Sequence, residues 1–175
     1  VREAFNRHKN TVATLRREPV SNRKDRLGKL RDWIHSNRRA IHEAMYSDFQ
    51  KNPTEVNTIE LFHVLQEIKH TLFNLDVWSR RRKVNAPLTL LGTRSFIQYE
   101  PRGVCLIISP WNYPFSLCVG PMVSALAAGN AVVLKPSEHS SVSALEFGGL
   151  FEKAGFPPGV VNIITGFGSE VGEPL

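Results

Sequence analysis

The sequence predicts an α/β protein in three regions. Helices fill residues 1–83, an extended arm or hairpin fills 84–102, and a parallel sheet with crossover helices fills 103–175. Three observations carry this reading. Apolar residues recur at helical spacing through the first region. Pro87, Gly92 and Pro101 then break that pattern. From Gly103 onward, short apolar runs alternate with segments of helix length. The size and composition agree: 175 residues, 42 % apolar and 22 % charged, fit one soluble domain with an extension.

Each element has a local reason. Around Arg26–Ile41 the positions Leu27, Leu30, Trp33, Ile34 and Ile41 follow an amphipathic helical period, with Ser21 as its expected cap. Asn52-Pro53 opens the next helix, with proline at the first helical position. Its expected stripe is Val56, Ile59, Phe62, Leu65, Ile68, Leu72 and Leu75, in one helix that can extend past Trp78. The stretch Ser95–Glu100 is short and bounded by breakers, which suits an extended segment. Gly103–Ser109 is almost wholly apolar and reads as a strand buried on both faces. Pro114–Ala128 is a buried helix closed by Gly129-Asn130. Ala131–Leu134 is a second strand, Ser141–Ala154 a second helix and Val160–Ile164 a third strand. Gly166–Leu175 opens a glycine-bearing turn and a third helix. That order implies parallel strands joined by right-handed crossovers.

Charge divides the chain. Residues 1–83 carry 18 of the 22 Lys and Arg, against 10 of the 16 acids, whereas 84–175 is slightly acidic. A basic half can mark a nucleic-acid footprint. Here Arg23, Lys24, Arg26, Lys29 and Arg31 are interleaved with Asp25 and Asp32, the pattern of a solvated helix face, and Arg80–Lys83 is a single run of four. No nucleic-acid partner is expected. No apolar run approaches the roughly 18 residues of a membrane span, so no membrane partner is expected in this segment. Two Cys residues make no disulfide framework, and a reducing, cytoplasmic compartment is the expectation. The chain begins at Val1 without a charged-then-apolar leader and reads as processed or excerpted.

In parallel sheets of this kind, ligands bind beyond the carboxyl ends of the strands. Those ends are Ser109–Asn112, Lys135–Glu138 and Thr165–Gly168. Read from spacing alone, Asn112 fits a turn between Trp111 and Tyr113-Pro114. Lys135 and Glu138, three residues apart past a buried strand, fit an ordinary ion pair. They also suit a ribose diol, whose hydroxyls accept from an ammonium and donate to a carboxylate. Gly166-x-Gly168-x-x-x-Gly172 departs from the Gly-x-Gly-x-x-Gly dinucleotide fingerprint and follows the third strand instead of the first.

These same strand ends carry a resemblance. Ile108-Ser109-Pro110-Trp111-Asn112-Tyr113-Pro114-Phe115 resembles a signature of the NAD(P)-dependent aldehyde dehydrogenase superfamily, in the form found in its fatty and aromatic aldehyde branch. Ala127–Glu138, reading AAGNAVVLKPSE, and Gly155–Asn162, reading GFPPGVVN, resemble the next two signatures at fitting distances. The resemblance implies the N-terminal portion of such an enzyme: helices, an oligomerisation arm, and the first half of a Rossmann-like dinucleotide-binding domain. It implies oxidation of an aldehyde to a carboxylic acid with NAD or NADP, in a homo-oligomer.

It also implies roles for residues. Asn112 becomes an oxyanion donor for a tetrahedral adduct. Lys135, Ser137 and Glu138 become contacts to the adenine ribose, with Ile108, Ser109, Pro110 and Trp111 lining the cofactor site and Gly168 and Gly172 facing the adenine. Glu138 favours NAD, because a carboxylate repels a 2′-phosphate. Lys135 favours that phosphate, so either cofactor remains open. The family nucleophile is a Cys in a downstream Gly-Gln-x-Cys context, and its base a downstream Glu. Cys105 and Cys118 sit in apolar runs as core residues and match neither, so the isolated chain is expected to be catalytically incomplete. His35/His42 and His63/His70 read as ordinary surface or core histidines, and no metal is expected. Two rivals accompany this reading: an acylating or semialdehyde branch of the same family, and a non-catalytic basic helical binding module. A steep salt dependence of nucleic-acid binding would mark the latter.

Overall fold

A computed structural model describes residues 2–90 and 92–173. Pro174 and Leu175, at the end of the expected third crossover segment, lie outside the described residues.

The N-terminal layer is helical: α1 Arg2–Arg17, α2 Val20–Ser36, α3 Arg38–Phe49, α4 Pro53–Glu55, a π-helical stretch Val56–Leu61 and α5 Phe62–Trp78. The expected helix around Arg26–Ile41 is two helices. Asn37, at φ −116°, breaks the path, and its side-chain amide donates to Trp33 O at 2.9 Å. Leu27, Leu30, Ile34 and Ile41 are buried across that break, as the period predicts. Ser21 does not cap: α2 starts at Val20 behind Pro19, which places Ser21 inside the first turn. Asn52 does cap, its side chain accepting from Glu55 N–H at 2.9 Å ahead of Pro53.

The stripe predicted for 56–75 holds at Val56, Leu65, Ile68, Leu72 and Leu75 and fails at Ile59 and Phe62. The N–H of Phe62 bonds to Asn57 O, five residues back, so the chain carries a π-bulge. Val56, Leu61, Val64, Ile68 and Leu75 are buried, together with Glu60 and Thr71, while Ile59 and Phe62 turn outward. The helix also ends at Trp78.

An antiparallel pair comes next, β1 Arg82–Val84 with β2 Ser95–Ile97, Lys83 opposite Phe96. This hairpin starts two residues before the expected arm.

The last region is β3 Val104–Ile108, α6 Pro114–Ala127, β4 Ala131–Lys135, α7 Ser141–Lys153, β5 Val161–Ile163 and α8 Gly168–Val171. The three strands form a parallel sheet in the order β3-β4-β5, with Ile108 beside Lys135 and Leu134 beside Ile163. β4 is central and buried. β3 is not buried on both faces: Val104, Leu106 and Ile108 are 38 %, 45 % and 66 % exposed. The reason is topological. β3 is an edge strand, and no described element covers that face. Its apolar run has the composition of a two-sided strand but only one packed side.

One core joins the layers. Leu27, Leu30 and Ile34 of α2, Leu61, Ile68, Phe115, Met122, Val132 and Leu134 belong to a single buried cluster. At Gly129, φ is +86° and a Cβ would meet the Arg23 guanidinium at 2.7 Å and Pro101 at 2.9 Å. Glycine thus suits both the left-handed turn and the close packing of Pro101 against it. Asn130 finishes the turn, accepting from Gly103 N–H at 2.9 Å and so tying β3 to the end of α6.

Many of the basic residues are paired. Lys24 meets Asp76 at 2.6 Å, Lys29 meets Asp25 at 2.9 Å, Arg39 meets Glu43 at 2.8 Å, and Arg26 is bonded to Glu18. Among the described residues, no helix is long and apolar enough to cross a membrane.

Candidate functional site

The parallel pairing of β3 with β4 brings two of the three predicted segments side by side. Ser109 N–H donates to Lys135 O at 3.0 Å, extending the ladder one step beyond Ile108. The turn Ser109–Asn112 therefore leaves β3 next to Lys135–Glu138.

The β4 side is built around an ion pair. Lys135 is 6 % exposed, and its ammonium donates to Glu138 Oε2 at 3.1 Å and to Pro136 O at 3.2 Å. Glu138 opens a 3₁₀ turn, Glu138–Ser140, that leads into α7. A backbone N–H bond to its own carboxylate and the Lys135 ammonium hold the Glu138 carboxyl below its ordinary value. Ser137 is nearly buried, its hydroxyl accepting from His139 N–H at 3.2 Å. A Lys donor and a Glu acceptor held together here fit a vicinal diol, each hydroxyl of which both donates and accepts.

The β3 side is a turn held from outside. Ser109 is buried, whereas Pro110, Trp111, Asn112 and Tyr113 are exposed. Trp111 stacks on Phe49, ring centroids 6.4 Å apart. Asn112 O accepts from Lys51 Nζ at 3.0 Å, and the same ammonium lies 5.0 Å from the Tyr113 ring centre. Among the described residues, the exposed Asn112 side-chain amide has no hydrogen-bond partner.

The third segment leaves β5, on the other side of β4 from β3. Gly168 begins the four-residue α8, and Gly172 comes just past its end, with Gly172 N–H on Gly168 O at 3.0 Å. A Cβ on Gly172 would meet Gly168 O at 2.5 Å, so this turn closes too tightly for a side chain there.

Two residues essential to this geometry escaped the sequence reading. Glu60 is fully buried, and its Oε2 accepts from Phe115 N–H at 3.2 Å and Ser116 N–H at 2.9 Å. Lys51 bridges Glu60 Oε1, at 2.7 Å, to the Asn112 carbonyl. The only signal for them was a glutamate inside an apolar stripe, but the π-bulge that turns it inward leaves no mark in the periodicity.

Neither thiol is placed as a nucleophile. Cys118 is wholly buried, and burial pushes its thiol up to about 11, against an opposing hydrogen bond from Ser109. Cys105 lies within β3. His42 bonds Asn57 at 3.2 Å and His70 packs on Trp78. A cleft of about 900 Å³ is lined by Arg16, Arg23, Thr71, Tyr99 and Ala127, and holds none of the predicted site residues.

The chain is similar to known proteins over most of its length. A 4,4'-diaponeurosporen-aldehyde dehydrogenase of Staphylococcus aureus is 42 % identical over 125 residues, 71 % of this chain and 27 % of that protein. Aldehyde dehydrogenase [NAD(P)+] 1 of Saccharomyces cerevisiae is 55 % identical over 116 residues, 66 % of this chain and 22 % of its own length. The chain thus spans about a quarter of these relatives. The solved substrate-bound state of Staphylococcus aureus AldH superposes with a TM-score of 0.91 at 35 % identity, over 99 % of this chain and 38 % of that one. The family model described as "Aldehyde dehydrogenase family" matches residues 1–175 from end to end, and the chain belongs to that family.

Proposed function

We propose that this chain is the N-terminal part of an NAD(P)-dependent aldehyde dehydrogenase that oxidises an apolar aldehyde to a carboxylic acid. The carrying observation is the Asn112 turn: an unpartnered amide, exposed at the end of β3, next to the Lys135–Glu138 pair at the end of β4. The acid-forming chemistry needs an oxyanion donor and a cofactor seat within reach of each other. Two neighbouring parallel strands supply both from adjacent carboxyl ends. Fatty or aromatic aldehydes are the substrate class, as the likeness of the Trp111–Phe115 signature to that branch implies.

In this reading Asn112 Nδ2–H donates to the oxygen that becomes negative when a thiolate attacks the carbonyl. The attacking Cys and the base that activates water belong to other parts of the complete protein. Lys135, Ser137 and Glu138 hold the ribose, Ile108, Ser109, Pro110 and Trp111 line the seat, and Gly168 and Gly172 face the adenine. The bound dinucleotide supplies the hydride acceptor. The Lys135–Glu138 contact bears on cofactor choice: Glu138 is already oriented toward the ammonium, so the pair favours NAD, while Lys135 keeps NADP usable.

The regions are then 1–83 helices, 84–102 arm and 103–175 first half of the dinucleotide domain. Homo-oligomerisation through the arm is supported by its exposed Leu88, Leu90, Phe96 and Tyr99. The free thiols Cys105 and Cys118 support a reducing, cytoplasmic setting. Neither nucleic acid nor metal enters this mechanism.

The test uses the complete protein. Asn112→Ala should lower kcat by roughly 10²–10³, the effect of losing one oxyanion donor, with the KM for NAD unchanged. A wild-type rate of the chemical step would reduce Asn112 to a turn residue and remove the reading.

A further inference from the structure

We propose that Lys51 and Glu60 form a clamp that positions the Asn112 turn, so that the N-terminal helices set the rate of the chemistry; this rests on the oxyanion role of Asn112 given above. Neither residue touches the reacting atoms. Both act through Asn112.

Four contacts converge on the six residues around Asn112. Phe49, the last residue of α3, stacks on Trp111. Lys51 Nζ donates to the Asn112 carbonyl at 3.0 Å and sits over the Tyr113 ring. Glu60 accepts from Phe115 and Ser116 N–H. Lys51 and Glu60 are joined at 2.7 Å, with side chains 12 % and 0 % exposed. The turn is thus held at its indole, its carbonyl, its phenol ring and the helix start behind it. Among the described residues, the Asn112 side-chain amide has no hydrogen-bond partner.

The arrangement is costly to build, which argues that it has a use beyond packing. A carboxylate at zero exposure must be compensated by a cation and by hydrogen bonds, and both are present. Glu60 lies within a π-bulge, a feature frequent at functional sites. α6 has no side-chain cap of its own at Tyr113, so Glu60 supplies what the local sequence omits. The effect expected from loss comes from geometry: displacing a catalytic donor by about 1 Å costs on the order of 10²-fold in rate.

The test is a double-mutant cycle in the complete protein, read as the single-turnover rate of NADH formation with octanal and with benzaldehyde. Lys51→Met should slow that step by about ten- to a hundredfold, with the KM for NAD within about twofold of wild type. In an Asn112→Ala background, Lys51→Met should cost less than about twofold more, because the residue it positions is already gone. A role in folding alone would lower Tm equally in both backgrounds and leave the losses additive. Additive losses, or an undisturbed rate in Lys51→Met alone, overturn the clamp while leaving the role of Asn112 intact. An Asn112→Ala protein of wild-type rate overturns both. If Lys51→Met does not fold, Lys51→Gln enters the same cycle with the same criteria.

Discussion

Cys118 shows how one residue's surroundings decide its chemistry. It lies on α6 only six residues beyond Asn112, close enough in sequence to invite a catalytic role. Burial removes that role by pushing its thiol up to about 11, so thiolate is scarce at neutral pH. The same shift makes a stability prediction. An unfolded thiol ionises near pH 8.5, the folded one only near 11. Its folded value is raised, so its contribution is complete below about pH 8.5 and is lost as pH climbs from there toward 11. The slope is about 1.4 kcal/mol per pH unit within that window. Urea unfolding at pH 8 and pH 10 should therefore show a smaller loss of stability in Cys118→Val than in wild type. Equal losses in the two proteins would mean that Cys118 does not titrate as its burial requires. Peptide-resolved alkylation of the native protein should likewise leave Cys118 unlabelled.

At the scale of elements, two carboxylates from the helical layer start the two crossover helices. Glu60 takes the first N–H groups of α6. Asp48, at the end of α3, does the same for α7, accepting from Val142 N–H at 3.2 Å and Ser143 N–H at 2.7 Å. Neither helix has a side-chain cap from its own preceding residue. A remote carboxylate at a helix N-terminus both satisfies orphan donors and meets the positive end of the dipole. Asp48→Ala should cost about 1–2 kcal/mol in urea unfolding. Since α7 comes directly after Glu138–Ser140, it should also raise the KM for NAD more than it lowers kcat. A stability unchanged within about 0.3 kcal/mol would show that water replaces the carboxylate there. None of this was legible in the sequence. Helix and strand segments of 103–163 were, because each lies between a glycine or proline and a run of clear period. Capping from a distance has no local signature. The outward turn of Ile59 and Phe62 was also hidden, since periodicity assumes no bulge, although Ile68 and Leu75 beyond it are buried as the stripe predicts.

For the molecule as a whole, the motifs at the strand ends point to one candidate site, while the residues that hold its Asn112 turn come from 55–62 positions away in sequence. What the sequence misjudged was the exposure of β3. Its run VCLII has the composition of a central parallel strand, yet β3 lies at an edge with Val104, Leu106 and Ile108 on an open face. Composition reports the environment a strand is suited to; only the sheet order reports what is present. An apolar edge with unpaired backbone groups is a template for pairing with another chain. The 175-residue chain expressed by itself should accordingly self-associate, with an apparent mass in light scattering that rises with concentration. Ile108→Lys places a charge on the most exposed position of that edge, 66 % open, where no core contact is lost. It should suppress the association, as edge lysines do in natural sheets. Phe73→Lys is the control: it removes an equally apolar side chain, 84 % exposed, from the middle of α5. If Phe73→Lys suppresses association and Ile108→Lys does not, the sticky surface is the outer face of α5. The open strand would then be protected by its twist or its short length alone.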